Sequence, residues 1–170
     1  MSSLQIALSK WDQKQAVYIT DVYKRFNKEP AFVDDLLSFS IHPELERGGT
    51  WLIKHHLEQG GVLADNQLQQ LATISPGLRH WEARLHALQV WAVVDIPLHL
   101  SEPVYAFAEV NRQHEKPFVR AWAFESLCKA AVVNAKFRKK VLDNSRLALE
   151  TEMASVRSKL KKVISRLEKL

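Results

Sequence analysis

Residues 117–127 read PFVRAWAFESL and place Arg120 in an otherwise apolar stretch. The side chains around it recur at helical spacing and share one face of a helix. That face comprises Val119, Trp122, Ala123, Ser126, Leu127 and Ala130. Pro117 suits the first turn of such a helix. Because burial of a lone charge is costly, Arg120 must be paired, catalytic or ligand-binding.

Segments similar to VRAWA, residues 119–123, recur along the chain. They are ARLHA at 83–87, VRSKL at 156–160 and, in the same register, LERGG at 45–49. The anchor positions 46, 84, 120 and 157 are 38, 36 and 37 residues apart. A nearly constant spacing of this length indicates a repeated structural unit of the kind that buries its apolar face by stacking. A residue that recurs once per unit has a role that recurs once per unit.

Turn-forming segments divide the chain into stretches of roughly 10–18 residues, each helical in pattern. Gly60-Gly61, Ser75-Pro76-Gly77 and Asp95-Ile96-Pro97 are among these turns. No strand-like alternation and no Asn-Gly or Asp-Gly hairpin turn occurs, so an all-α fold is predicted. The predicted helices are a first one near 10–27 and the pairs 30–39 with 43–59, 64–74 with 78–95, 102–113 with 117–133 and 136–149 with 152–169.

The repeated segment resembles HEAT repeats, whose second helix often carries a Val-Arg-x-x-Ala core. The resemblance covers about residues 30–170, although the first copy has Glu46 where the others have Arg. The period is shorter than the roughly 40–47 residues of HEAT and armadillo repeats and fits more compact HEAT-like ones. The resemblance implies a right-handed α-α superhelix, or solenoid, of about four helix pairs plus an N-terminal helix. Residues 1–170 would then form a single domain, with repeats at about 30–60, 63–97, 101–134 and 135–170.

The repeated arginines Arg84, Arg120 and Arg157 are predicted to be structural. In stacked helix pairs, an arginine near the start of the second helix can bridge to a carboxylate or carbonyl of the neighbouring pair. Two glycines, Gly48 and Gly49, lie inside a predicted helix. Each costs about 1 kcal/mol relative to alanine there. Close packing against a neighbouring helix would compensate for that cost.

No metal site, cofactor site or nucleophile is predicted. The seven histidines include no pair at helical ligand spacing and no His-Glu-x-x-His. The single cysteine, Cys128, lies in an amphipathic helix, where a buried thiol is the ordinary interpretation, and it fits a reducing compartment. Neither a signal peptide nor an apolar run long enough to span a membrane is found, which favours a soluble, cytoplasmic protein.

Positive charge is concentrated at one end of the chain. Residues 134–170 hold 11 Lys and Arg against 4 Asp and Glu, whereas the other 133 residues hold 13 against 15. The predicted binding residues are Lys136, Arg138, Lys139 and Lys140 in one helix and Lys159, Lys162, Arg166 and Lys169 in the next. Such a stripe can contact nucleic-acid phosphates, an acidic protein surface or an anionic membrane. It is equally typical of the polar outer face that ends a stack of repeats.

A second, looser resemblance is to alkylpurine DNA glycosylases, which are built from HEAT-like repeats and use Trp and Asp side chains on a basic concave face. Here Trp91 and Asp95 are four residues apart on one helical face, and HWEAR at 80–84 is also similar. Asp95 falls at the C-terminal end of its helix, where a carboxylate opposes the helix dipole unless it caps or pairs.

The sequence favours a non-enzymatic scaffold that presents a curved helical surface to a protein partner. The alternative is a protein related to the HEAT-like glycosylases that binds nucleic acid, or another polyanion, through the C-terminal basic stripe. A catalytic function would depend on Trp91 and Asp95.

Overall fold

The computed structural model describes residues 1–170 and is entirely helical, which confirms the all-α prediction. The chain divides into two compact units, Met1–Ala87 and Leu88–Leu170, and the boundary between them falls inside a helix. The α-helices of the first unit are α1 Ser3–Ser9, α2 Ala16–Phe26, α3 Phe32–Phe39, α4 Glu46–Glu58, α5 Asp65–Ile74 and the first half of α6 Trp81–Val93. Those of the second are the rest of α6, α7 Ser101–Asn111, α8 Pro117–Val133, α9 Arg138–Thr151 and α10 Ala154–Leu167.

Short 3₁₀ turns precede three of the longer helices. They span Ser75–Gly77, Leu98–Leu100 and Ala135–Phe137. None of the helices combines the length and the apolar content that crossing a bilayer requires.

The N-terminal region differs from the single helix predicted near 10–27, because that helix begins only at Ala16, as α2, and an additional helix, α1, lies before the predicted range at Ser3–Ser9. A turn at Asp12 separates them. The Asp12 carboxylate accepts hydrogen bonds from the backbone N–H groups of Lys14, at 3.0 Å, and Gln15, at 2.9 Å. Gln13 between them has a left-handed φ of 63°. Such local side-chain bonds compete with the helix, so α2 begins only at Ala16. The same backbone bonds, first that of Gln15, lower the pKa of Asp12.

In the first unit, α4 packs against α2 and α3, and α3 packs against α5. The two glycines of α4 lie where other helices come close. A Cβ atom on Gly49 would lie 3.0 Å from the backbone oxygen of Leu36 in α3. One on Gly48 would lie 2.8 Å from Cδ2 of Leu8 in α1. The expected close approach is therefore present at both glycines, and it offsets their low helix propensity.

In the second unit, α8 packs against α7, α9 and α10. Because neighbours surround it, α8 is buried over most of its circumference; Ala123, Ser126, Cys128 and Ala131, which point to different sides of the helix, are all 0% exposed. By contrast, α10 contacts only α8 and α9 to any extent and is amphipathic. Its buried stripe consists of Val156, Leu160, Val163 and Leu167. The opposite face of α10 is open to solvent.

Candidate anion-binding surface

The four repeat positions differ in their contacts. The carboxylate of Glu46 is buried and accepts hydrogen bonds from the backbone N–H groups of Arg79, at 2.9 Å, and His80, at 2.6 Å. Arg84 Nε donates to the carbonyl of Leu78, six residues earlier, at 2.8 Å. Arg120 makes the corresponding bond, again to a carbonyl six residues earlier. Position 157 makes no such contact, as described below.

Arg120 is paired, and its pairing accounts for a charge inside an apolar stretch. Its Nη1 donates to the carbonyl oxygens of His114, at 2.9 Å, and Glu115, at 3.0 Å. Its Nε and Nη2 donate to the two carboxylate oxygens of Glu152, at 2.6 and 2.8 Å. The hydrogen bonds to Glu152 raise the pKa of Arg120. This two-pronged ion pair ties the first turn of α8 to the residue that ends α9, so Arg120 has a structural role.

The four predicted binding residues in and before α9 are already occupied. Lys136 is paired with Glu102, Lys139 with Asp143 at 2.6 Å, and Lys140 with Glu109 at 3.8 Å. Arg138 donates to the carbonyl oxygens of Ala131, at 3.1 Å, and Val132, at 3.3 Å, near the C-terminal end of α8. Each of these four cations therefore has a partner within the chain.

Two of the predicted binding residues on α10 are likewise engaged, both by Glu125 of α8. Glu125 is only 8% exposed, and its oxygens lie 3.6 Å from Lys159 Nζ and 3.6 Å from Arg166 Nη1. Arg166 Nη1 also lies 3.7 Å from the sulfur of Cys128. Lys159 Nζ sits 3.6 Å from the ring centroid of Trp122. Lys159 and Arg166 therefore hold α10 against α8.

The other cations of α10 are unpaired. Lys162 and Lys169, which were predicted as binding residues, are exposed, as are Arg157 and Lys161. None of these four makes an ion pair or a side-chain hydrogen bond. The structure thus brings Arg157, predicted to be a repeat arginine, and Lys161, which was not singled out, to the surface that Lys162 and Lys169 form.

Two shallow concavities lie along this face of α10. The first, of about 690 Å³, is lined by Leu149, Ala154, Arg157, Ser158, Lys161 and Lys162. The second, of about 600 Å³, is lined by Lys161, Lys162, Ser165, Arg166, Lys169 and Leu170. They share Lys161 and Lys162, and no Asp or Glu lines either one. We call the surface that Arg157, Lys161, Lys162 and Lys169 form the α10 cationic surface. It can attract anionic groups, because these four charges have no partner within the chain.

A sequence signal for this surface exists. Arg157, Lys161, Lys162 and Lys169 have no Asp or Glu three or four residues away on the helix, so no local ion pair is available. Lys139, in contrast, has Asp143 four residues on and pairs with it. Local spacing alone does not reveal the distant partners of Lys159 and Arg166.

The residues considered for chemistry do not form a common site. Trp91 is fully buried, whereas Asp95 lies beyond the end of α6, is exposed and has Lys129 Nζ 3.7 Å away. Cys128 is buried, and desolvation raises the pKa of its thiol. No group of three or more His, Cys, Asp or Glu side chains is placed to hold a metal ion.

Comparisons with protein-family models, with curated protein sequences and with solved structures return no match for this chain.

Proposed function

We propose that the protein is a non-enzymatic binding module built from HEAT-like helix pairs, and that its α10 cationic surface binds an acidic segment of a partner protein. The observation that carries the proposal is the set of four unpaired cations over two adjoining concavities. Unpaired surface charge of one sign steers an oppositely charged partner and sets its orientation.

Contacts between distant residues support the helix-pair repeat within each unit. In the first, Thr50 bonds His86 over 36 residues and Gln67 bonds Asp34 over 33. In the second, Ser126 bonds the carbonyl of Leu88 over 38 residues. These separations are close to the 36–38 residues between the repeated segments. Contacts at one repeat length are what neighbouring, equivalent helices make.

The lining of the concavities favours a protein segment over nucleic acid. Leu149, Ala154 and Leu170 give them apolar surface that a peptide's aliphatic side chains can contact. No aromatic side chain lies in them, although stacking on aromatic rings supports much of single-strand binding. The ring of Trp122 on α8 is covered by Lys159.

The test compares two charge reversals with the same change in net charge. Lys161→Glu/Lys162→Glu alters the α10 cationic surface, whereas Lys10→Glu/Lys28→Glu alters exposed lysines of the first unit. Binding of fluorescein-labelled poly-L-glutamate is measured by anisotropy at roughly 50 mM salt, where charges are weakly screened. We expect the first variant to bind poly-L-glutamate about tenfold more weakly than the parent protein. The affinity of the control variant should stay within about twofold of the parent's. Equal losses in the two variants would refute the proposal.

Nucleic acid is the second candidate, favoured by the same unpaired cations. Labelled oligothymidylate is titrated beside poly-L-glutamate at several salt concentrations. Four phosphate contacts predict a slope of log K against log salt of about −3. If oligothymidylate binds more tightly than poly-L-glutamate, with that slope and with loss in Lys161→Glu/Lys162→Glu, nucleic acid replaces the acidic protein as the proposed partner.

A further inference from the structure

The four unpaired cations, three on α10 and Lys169 in the turn two residues past its end, fall in two rows when viewed along the helix. At 100° per residue, Arg157 and Lys161 are about 40° apart, and Lys162 and Lys169 are about 20° apart. The centres of the two rows are separated by about 110° around the helix. Each row therefore lies on its own side of the exposed face.

Short side chains occupy the strip between the rows. Ala154, Ser158 and Ser165 lie there, and all three are exposed. They also line the concavities, Ala154 and Ser158 the first and Ser165 the second. The α10 cationic surface is thus a trough with a floor of small residues and positively charged sides.

The dimensions of the trough match an α-helix. With side chains reaching 5–6 Å from the axis, the two rows are about 9 Å apart. Small residues at the contact also let a second helix approach until the two axes are near the lower end of the usual 8–10 Å. Along the axis, Arg157 and Lys169 are separated by about 18 Å, which is twelve residues of a parallel or antiparallel helix.

We propose that the acidic segment bound by α10 is itself an α-helix, lying along the trough with carboxylates on both of its flanks. This inference rests on the proposed function, because it specifies the occupant of the same surface. Flanking carboxylates of one helix reach both cation rows at once, as charged residues do on either side of a coiled-coil seam. Its central ridge, made of small or aliphatic residues, contacts Ala154, Ser158 and Ser165. An extended acidic chain has no such ridge and gains nothing from the small floor.

The experiment uses two labelled peptides of equal charge and of about 18 residues, so that each extends past the twelve-residue length of the trough. Both have an alanine background with glutamates on two flanks; in the second, two central alanines are replaced by proline, which prevents a continuous helix. The full-length protein is titrated with each. We expect the helical peptide to bind at least about tenfold more tightly. Its far-UV circular dichroism should gain helix signal on binding.

A variant that fills the trough distinguishes the contribution of its shape to peptide binding from that of its charge. Ser158→Tyr leaves all cations in place but puts a bulky group on the floor. We expect this variant to bind the helical peptide about tenfold more weakly than the parent protein does. Its affinity for the proline peptide should stay within about twofold of the parent's. Ser165→Tyr repeats the test one concavity further along, and a thermal melt of each variant confirms that it is folded.

The outcomes distinguish the two proposals. If both peptides bind equally well and neither tyrosine variant discriminates between them, while Lys161→Glu/Lys162→Glu still weakens both, the helical occupant is refuted and the anion-binding surface stands. If Lys161→Glu/Lys162→Glu affects neither peptide, the proposed function and the helical occupant are refuted together.

Discussion

The helices α8 and α10 carry the same two residues in their first turn but differ in role. Val119-Arg120 and Val156-Arg157 are the third and fourth residues of α8 and α10, and both valines are 0% exposed. Arg120 forms a bidentate ion pair with Glu152, whereas Arg157 is exposed without a partner. The comparison shows that the valine of the repeated segment is set by the apolar core alone. Whether the arginine forms an ion pair depends on whether a later segment of the chain supplies a carboxylate.

The surroundings of the two helices explain the difference. Three helices, α7, α9 and α10, pack around α8, while α10 has α8 and α9 on one side. Burial on all sides requires α8 to satisfy its few polar groups internally. An exposed face makes no such demand, so cations can remain unpaired on α10. That face is therefore free to bind.

The largest expected contrast is in thiol reactivity. Cys128 of α8 is buried with a raised pKa, so it reacts mainly through opening of the fold. A cysteine introduced by Ser158→Cys lies on the exposed face of α10. We expect alkylation by iodoacetamide to be at least about a thousandfold slower at Cys128. A mass-spectrometric time course measures both rates, and urea serves as the control that exposes Cys128. Comparable rates in native buffer would contradict the burial of α8.

The next contrast replaces each arginine by methionine, which keeps much of the aliphatic length. Arg120→Met leaves the carboxylate of Glu152, with its side chain 11% exposed, without its partner. We expect this variant to lower the free energy of unfolding by about 2–4 kcal/mol. Arg157→Met should change it by less than about 0.5 kcal/mol. Urea denaturation measures both, and equal effects would show that the two repeat positions are equivalent after all.

Glu125→Gln tests the boundary between the two helices. The substitution removes the charge that holds Lys159 and Arg166, so we expect a loss of about 1–3 kcal/mol in the free energy of unfolding. The two released cations should strengthen poly-L-glutamate binding about threefold. Urea denaturation and anisotropy provide the two readouts. Unchanged or weaker binding would mean that Lys159 and Arg166 already contribute to the surface despite Glu125.

The smallest contrast compares two serines. Ser126 of α8 is fully buried and donates to the carbonyl of Leu88 at 2.8 Å. Ser126→Ala should therefore lower the free energy of unfolding by about 1 kcal/mol. Ser165→Ala, on the exposed face of α10, should stay within about 0.5 kcal/mol of the parent protein. A larger loss of unfolding free energy in Ser165→Ala than in Ser126→Ala would contradict the burial of α8 and the exposure of this face of α10.

Helix periodicity made most of the fold predictable from the sequence. The helix predicted at 117–133 coincides with α8, and the one predicted at 152–169 differs from α10 by two residues at each end. The helix predicted to begin near residue 10 begins at Ala16, because apolar spacing does not register the turn that Asp12 makes with Lys14 and Gln15, and α1 was not predicted. Turn chemistry at a single side chain overrode the periodic pattern.

The candidate surface was less predictable, because charge pairing is set by tertiary contacts. Clustering in the sequence indicates eight cations as binding residues. Glu125, which pairs with two of them, lies 34 residues before Lys159 and 41 before Arg166. Such partners become visible only when the helices are packed. Lys162 and Lys169 remain unpaired, and Arg157 and Lys161 join them.

The most direct test of the account is an amide NMR titration of the ¹⁵N-labelled protein with poly-L-glutamate. We expect the largest chemical-shift changes at the amides of residues 154–170, including those of Arg157, Lys161, Lys162 and Lys169, and no change at the amides of Lys10 and Lys28. Changes spread over the lysines of both units, or concentrated in α1 and α2, would contradict a binding surface on α10.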